Sequence, residues 1–145
     1  VQAGRGVTRA ALEPVLVAAS FGPSFFSPKA GRAVEKMIQN TPIDTIVNFL
    51  HALETHDEST ALPIIAQVPT CVVCGSRDRL TPMANSVRMY SEFRLDSRLV
   101  VVKGAGHMVQ MEQPRLVSDA IEDLVDRARV ALPAPRSKWW KRIRV

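Results

Sequence analysis

Apolar positions along this chain follow one rhythm up to about residue 60 and another beyond it. Residues 1–26 mix glycines and phenylalanines with no clean period. Ser27-Pro28 then offers an N-cap and a proline at the first helical position, predicting a helix to about Gln39 with Asn40 as its stop. Thr41-Pro42 repeats the device, and Ile43, Ile46, Val47 and Leu50 follow at helical spacing. Residues 28–55 therefore read as two short helices joined by a tight turn. After Pro63 the pattern shortens. Ile64-Ile65-Ala66 leads through Val68-Pro69 into Cys71-Val-Val-Cys74, too short and too β-branched for a helix and bounded by Pro and Gly. Thr81-Pro82 predicts a helix to about Phe93, Leu99-Val-Val-Val102 a second apolar strand, and Gln113-Pro114 the start of a last helix. The apolar stripe of that helix is Val117, Ala120, Ile121, Leu124 and Ala128.

Strand–helix–strand–helix predicts a parallel βαβ unit with a right-handed crossover. Continuous rather than alternating apolar runs are expected of strands covered on both faces. Two strands and their helices cannot supply that cover alone, so the unit reads as the end of a larger sheet. There is no internal repeat. Ala131-Leu-Pro-Ala-Pro-Arg136 reads as a Pro-rich hinge before the tail Ser137-Lys-Trp-Trp-Lys-Arg-Ile-Arg-Val145. Three regions result: 1–60, mainly helical; 61–130, an α/β unit; and 131–145, a hinged basic tail.

At 145 residues with 46% hydrophobic content, the chain fits one domain with a real core. Neither a signal-peptide pattern nor a run of about 18 apolar residues appears. Val1 in place of Met points to a fragment, a processed chain or a GTG start codon. The net charge of +5 is confined to the tail: Arg136, Lys138, Lys141, Arg142 and Arg144 carry it, while the other 14 basic residues balance 14 acidic ones. A neutral body lacks the footprint of a nucleic-acid binder. The tail itself has two readings. Trp139 and Trp140 among cations could rest weakly on an anionic membrane surface, or the segment is simply a disordered basic terminus.

Cys71 and Cys74 form a lone C-x-x-C inside a strand run. Residues i and i+3 of a strand point to opposite faces, so the sulfurs can neither pair nor share a metal. They read as two buried, inert thiols, in keeping with a reducing, cytoplasmic setting. His51 and His56 have no thiol or carboxylate at metal-ligand spacing, so no metal is expected. Gly104-Ala-Gly106 lacks the third glycine and the following basic residue of a phosphate loop.

Two segments carry the chemistry. In Gly75-Ser-Arg-Asp78, the acid sits four residues after Cys74. In Gly104-Ala-Gly-His107, the imidazole sits five residues after Val102. Sites in open α/β sheets gather beyond the carboxyl ends of the strands. If the strands are neighbours, Asp78 can bond one ring nitrogen of His107 and leave the other free to take a proton from a nucleophile. Gly104 and Gly106 are expected to let the loop turn through positive φ. Singly, Asp78 could be a turn residue and His107 a loop histidine; the pairing of contexts favours catalysis.

The stretch from about Leu53 to Arg127 resembles the C-terminal part of the α/β-hydrolase fold family. Val68-Pro-Thr-Cys-Val-Val-Cys-Gly-Ser-Arg-Asp78 is similar to its penultimate core strand and acid loop. Val100-Val-Val-Lys-Gly-Ala-Gly-His107, with Glu112 and Pro114 behind it, is similar to its last strand, histidine loop and final helix. The resemblance implies an α/β fold of which this is the parallel βαβα end, preceded by cap helices within 1–60. It also implies Asp78 as triad acid, His107 as general base, a small-molecule ester or amide as substrate, and no cofactor. The chain departs from the family at the nucleophile. No G-x-S-x-G occurs, and Gly22-Pro-Ser24-Phe-Phe26 lacks the second glycine. Ser20, Ser27 and Ser76 fit no better. The 145 residues are thus expected to be inactive alone and to need a complementing chain. The rival readings are a non-catalytic remnant or interaction module pairing through a sheet edge, and a relative whose aspartate nucleophile opens epoxides or removes halides.

Overall fold

The computed structural model describes residues 12–25, 27–93 and 96–131. The first helix, α1, covers residues 12–20 and has no counterpart in the sequence reading. Leu12, Val15, Leu16, Val17, Ala18 and Ala19 leave it almost no polar face, so no amphipathic period marks it, and Pro14 is tolerated near its start. Helix α2 (Pro28–Asn40) opens as expected: the Ser27 hydroxyl accepts from Ala30 N–H at 3.2 Å. It buries Ala30 and Val34, one turn apart.

Helix α3 (Ile43–Thr55) follows after a tight turn, but Thr41 does not cap it. The Thr41 hydroxyl donates back to the Met37 carbonyl of α2 at 2.8 Å, and Pro42 holds the cap position. The same correction applies to α5 (Met83–Ser91), where Pro82 is the cap and Thr81 is used elsewhere. Ile64 and Ile65, expected to lead straight into a strand, instead close a short helix, α4 (Leu62–Ile65), after a 3₁₀ turn at Ser59–Ala61.

Strands β1 (Thr70–Gly75) and β2 (Ser97–Val102) pair in parallel, with Thr70 opposite Ser97 and Gly75 opposite Val102. Their carboxyl ends therefore finish level. Val102, Ala105 and Val109 form the centre of the core, packed by Val73, Val100 and Val117. Helix α6 (Val109–Glu112) and α7 (Pro114–Ala131) complete the unit. Cover over the strands is partial: Val101 is 41% exposed, and Ile121 of the expected α7 stripe is 56% exposed. Among the described residues the sheet has only these two strands. Cys74 is buried, whereas Cys71 is half-buried rather than fully so, and both are free thiols. Partial burial raises the Cys71 thiol, which keeps it protonated.

At the other end of the sheet, α7 is anchored by charge. Arg127 bonds Asp123 at 2.8 Å, and it also bonds both the carboxylate and the carbonyl of Asp96, just before β2. Arg98 of β2 reaches Asp123 at 2.7 Å. These bonds fix α7 beneath the strands at the end remote from Asp78 and His107.

Candidate active site

The acid and histidine loops are bonded to each other before their side chains meet. Ser76 N–H donates to the Val102 carbonyl at 3.0 Å and Arg77 N–H to that of Ala105 at 2.9 Å, while Gly104 N–H donates to the Ser76 hydroxyl at 2.9 Å. This contact needs glycine at position 75: a Cβ there would overlap the carbonyls of Ala105 and Gly106. Gly104 turns the chain at φ +82°, as expected. Gly106 serves a different purpose. It has no positive φ, but a Cβ on it would strike the backbone of Phe21 and Gly22. Its smallness admits the exit of α1.

Asp78 and His107 meet. His107 Nδ1 lies 3.0 Å from Asp78 Oδ2, across a sequence separation of 29 residues. The carboxylate is held on all sides: Oδ1 accepts from the N–H groups of Leu80 and Thr81, both at 2.9 Å, and Oδ2 also accepts from the Thr81 hydroxyl at 2.8 Å. Its side chain is only 6% exposed, against 37% for His107. Burial pushes the Asp78 carboxyl up. The opposing bonds from Thr81 N–H, His107, the Thr81 hydroxyl and Leu80 N–H outweigh it and hold the group below its ordinary value.

This arrangement sets the tautomer. The Thr81 hydroxyl has one proton, and it points at Asp78, so at 3.1 Å from His107 Nδ1 it presents a lone pair. Two acceptors thus face Nδ1, which must carry the hydrogen. The ring's Nε2 is left as the lone-pair nitrogen, with no hydrogen bond to it among the described residues. Such a histidine can take a proton from a hydroxyl or water and return it.

A second carboxylate supports the loop from behind. Glu112, 9% exposed, accepts from Gly106 N–H at 2.7 Å and from Gly22 N–H, which lies 3.1 Å from both of its oxygens. Met108 N–H donates to the Ser20 carbonyl at 2.8 Å. The residues on either side of His107 are therefore tied to the end of α1. Sequence reasoning gave Thr81 to a helix cap and Glu112 only to a family pattern. A clue to Glu112 is its place as the one acidic residue in Met108-Val-Gln-Met-Glu112.

The serines weighed from sequence do not approach the histidine as nucleophiles. Ser20 is buried and donates to the Leu16 carbonyl at 2.7 Å; Ser27 caps α2; Ser76 accepts from Gly104 N–H; Ser24 lies exposed in the turn after α1. His51, exposed on α3, lies 3.5 Å from Glu54, and His56 is exposed beyond the helix end. Among the described residues no three His, Cys, Asp or Glu side chains gather as a metal site, and no helix is long and apolar enough to cross a membrane. Trp139, Trp140 and the basic tail lie outside the described residues.

His107 also lines a cleft of about 760 Å³ between the helices and the loops. Its walls are Leu16 of α1, Ile46, Phe49, Leu50 and Leu53 of α3, and Leu80 after the acid loop, with Thr41, Thr45, Glu54 and Thr81 as their polar part.

No protein with a curated description matches this chain. Solved structures share its fold, among them the following three. An esterase (EaEST) from Exiguobacterium antarcticum is 18% identical with a TM-score of 0.72, covering 85% of this chain and 45% of that one. MGS-M2, an alpha/beta hydrolase enzyme from a Medee basin deep-sea metagenome library, is 18% identical with a TM-score of 0.67, covering 90% and 47%. A serine hydrolase involved in carbazole degradation (CarC enzyme) is 17% identical with a TM-score of 0.61, covering 79% and 46%. The chain thus spans less than half the length of each of these three structures. The family described as alpha/beta hydrolase fold matches residues 5–114, about three quarters of the chain, and with the parallel strands and their loops this places the protein in the α/β-hydrolase fold family.

Proposed function

We propose that this chain carries the acid and base of a hydrolase that cleaves a small-molecule ester or amide through a Ser-Asp-His triad. The observation that supports the reading is the 3.0 Å contact of His107 Nδ1 with an Asp78 that four donors hold ionised. The proton of a nucleophilic hydroxyl would pass to His107 Nε2 as the oxygen attacks the carbonyl carbon and the carbonyl π electrons move onto its oxygen. Asp78 would stabilise the resulting imidazolium. When the tetrahedral species collapses, Nε2 returns that proton to the leaving group. Water then repeats the cycle on the acyl-enzyme. The esterase and the serine hydrolase among the structural neighbours favour this chemistry.

Residues 1–60 read as part of a cap over the site and 61–130 as the core, with Ser20 bonded to Met108 and Gly22 to Glu112. Neither G-x-S-x-G nor an oxyanion-hole loop occurs in the 145 residues, so a complementing segment supplies them and the chain alone is inactive. The test is the coding DNA upstream of Val1. An in-frame apolar strand followed by G-x-S-x-G is the expected result. A broken frame would overturn the catalytic reading and leave Asp78 and His107 as relics. Hydrolysis of p-nitrophenyl butyrate by the 145-residue chain, lost in His107→Ala, would overturn the claim of inactivity.

A further inference from the structure

Among the described residues, Thr81 alone bonds both oxygens of Asp78. Its N–H donates to Oδ1 at 2.9 Å and its hydroxyl to Oδ2 at 2.8 Å. Leu80 N–H adds a second bond to Oδ1, also at 2.9 Å. Turning the carboxylate about its Cβ–Cγ bond would break all three, so Oδ2 is kept toward His107. The backbone presets this grip. Thr81 precedes Pro82, which disfavours a helical conformation for it, and its branched Cβ restricts χ1.

The same hydroxyl closes a triangle with the ring. Thr81 Oγ1 lies 2.8 Å from Asp78 Oδ2 and 3.1 Å from His107 Nδ1, and those two lie 3.0 Å apart. A ring turned by half a rotation would set a carbon against both oxygens and lose two acceptors rather than one. Asp78, Thr81 and His107 also border a cavity of about 190 Å³, which has room for water. The hydroxyl holds the place from which a water would compete for Oδ2 and Nδ1.

Resting on the hydrolase reading above, we infer that Thr81 is a positioning residue whose hydroxyl locks the Asp78 carboxylate and the His107 ring to each other. This chain thereby holds its base in the working orientation before any nucleophile-bearing segment joins it. Thr81 acts through Asp78 and His107 and takes no part in the bond changes themselves.

The test compares Thr81→Val, Thr81→Ala and Thr81→Ser in the 145-residue chain by NMR. Thr81→Val keeps the shape and loses the hydroxyl, whereas Thr81→Ser keeps the hydroxyl and loses the methyl. Exchange of the His107 Nδ1 hydrogen with water is expected to be about fivefold faster in Thr81→Val and Thr81→Ala, the effect of one lost hydrogen bond, and within about twofold of wild type in Thr81→Ser. The Asp78 carboxyl should titrate at higher pH in Thr81→Val and Thr81→Ala, because a donor to its charged form is gone. His107, which bonds it, and its loop neighbours Arg77 and Arg79 are the same in every variant. Thr81→Val matching wild type in both readouts overturns the inference. So does Thr81→Ser behaving like Thr81→Ala, since the methyl and not the hydroxyl would then be what matters. Neither readout depends on hydrolysis. A broken frame upstream of Val1 would leave this clamp standing, and a failed clamp leaves the contact of Asp78 with His107 standing.

Discussion

Replacing Glu112 by alanine removes the acceptor of two buried amides at once. Gly106 N–H loses a 2.7 Å bond, and Gly22 N–H loses a carboxylate it approaches at 3.1 Å on both oxygens. A buried donor left without a partner costs ~1–3 kcal/mol, so the two together cost ~2–6 kcal/mol. Against a total stability of ~5–15 kcal/mol for an ordinary domain, the upper part of that range approaches unfolding. Glu112→Gln is the informative companion. Its one amide oxygen can satisfy Gly106 or Gly22, while its NH₂ faces the other as donor to donor, so the expected cost is that of one lost bond, ~1–3 kcal/mol. Urea unfolding monitored by circular dichroism gives the free energies, read from a changed midpoint at constant slope. Amide hydrogen exchange gives the location, with Gly22 and Gly106 exchanging faster by about tenfold for each ~1.4 kcal/mol of local stability lost. His107 resonances should shift in Glu112→Gln, since the loop that carries the ring is held by Glu112. Both variants unfolding within ~0.5 kcal/mol of wild type would refute the reasoning, because that is the scatter of an ordinary surface substitution. Unchanged exchange at Gly22 and Gly106 would refute it too.

Other consequences concern pH and packing. The Asp78 carboxyl is held below its ordinary value, so it contributes stability that is present above the unfolded value of ~3.9 and is lost as pH falls through the folded one. Asp78→Asn should therefore show a flatter loss of stability below about pH 4 than wild type in acid titrations of the unfolding midpoint; parallel curves would contradict this. Gly106→Ala should destabilise by at least ~1–3 kcal/mol, since its Cβ meets the backbone of Phe21 and Gly22, which cannot swing aside. Gly31→Ala in α2 meets nothing within 4 Å and should stabilise by ~0.5–1 kcal/mol in the same urea unfolding experiment. Reversal of either sign would count against the packing described.

The legibility of this fold from sequence followed the locality of the information. β1 and β2 were readable because each is a short apolar run with a glycine at its end or two residues past it, and Asp78 and His107 because they follow those ends at a few residues' distance. Helix α1 was not, because its apolar composition supplies no polar phase to count. The threonines before Pro42 and Pro82 look alike in sequence. Only the folded chain shows one turning back on α2 and the other reaching Asp78. Glu112 could not be assigned from neighbours, since its partner Gly22 lies 90 residues away. Gly106 was expected for its backbone freedom and is required for its lack of bulk. Long-range closure, rather than local propensity, determined the roles of Glu112 and Gly106.

The hydrolase reading of this chain passes through one hydrogen. The two acceptors facing His107 Nδ1 place it there, donated toward Asp78 and Thr81, with Nε2 left as the base. Two-bond ¹H–¹⁵N correlation of the histidine rings, recorded with the imidazole neutral, observes this directly. Nδ1 of His107 is predicted to have the pyrrole-type shift and Nε2 the pyridine-type shift, with the preference lost in Asp78→Asn. A proton on Nε2, or a tautomer mixture indifferent to the Asp78 substitution, would contradict the assignment of His107 as a base oriented by Asp78.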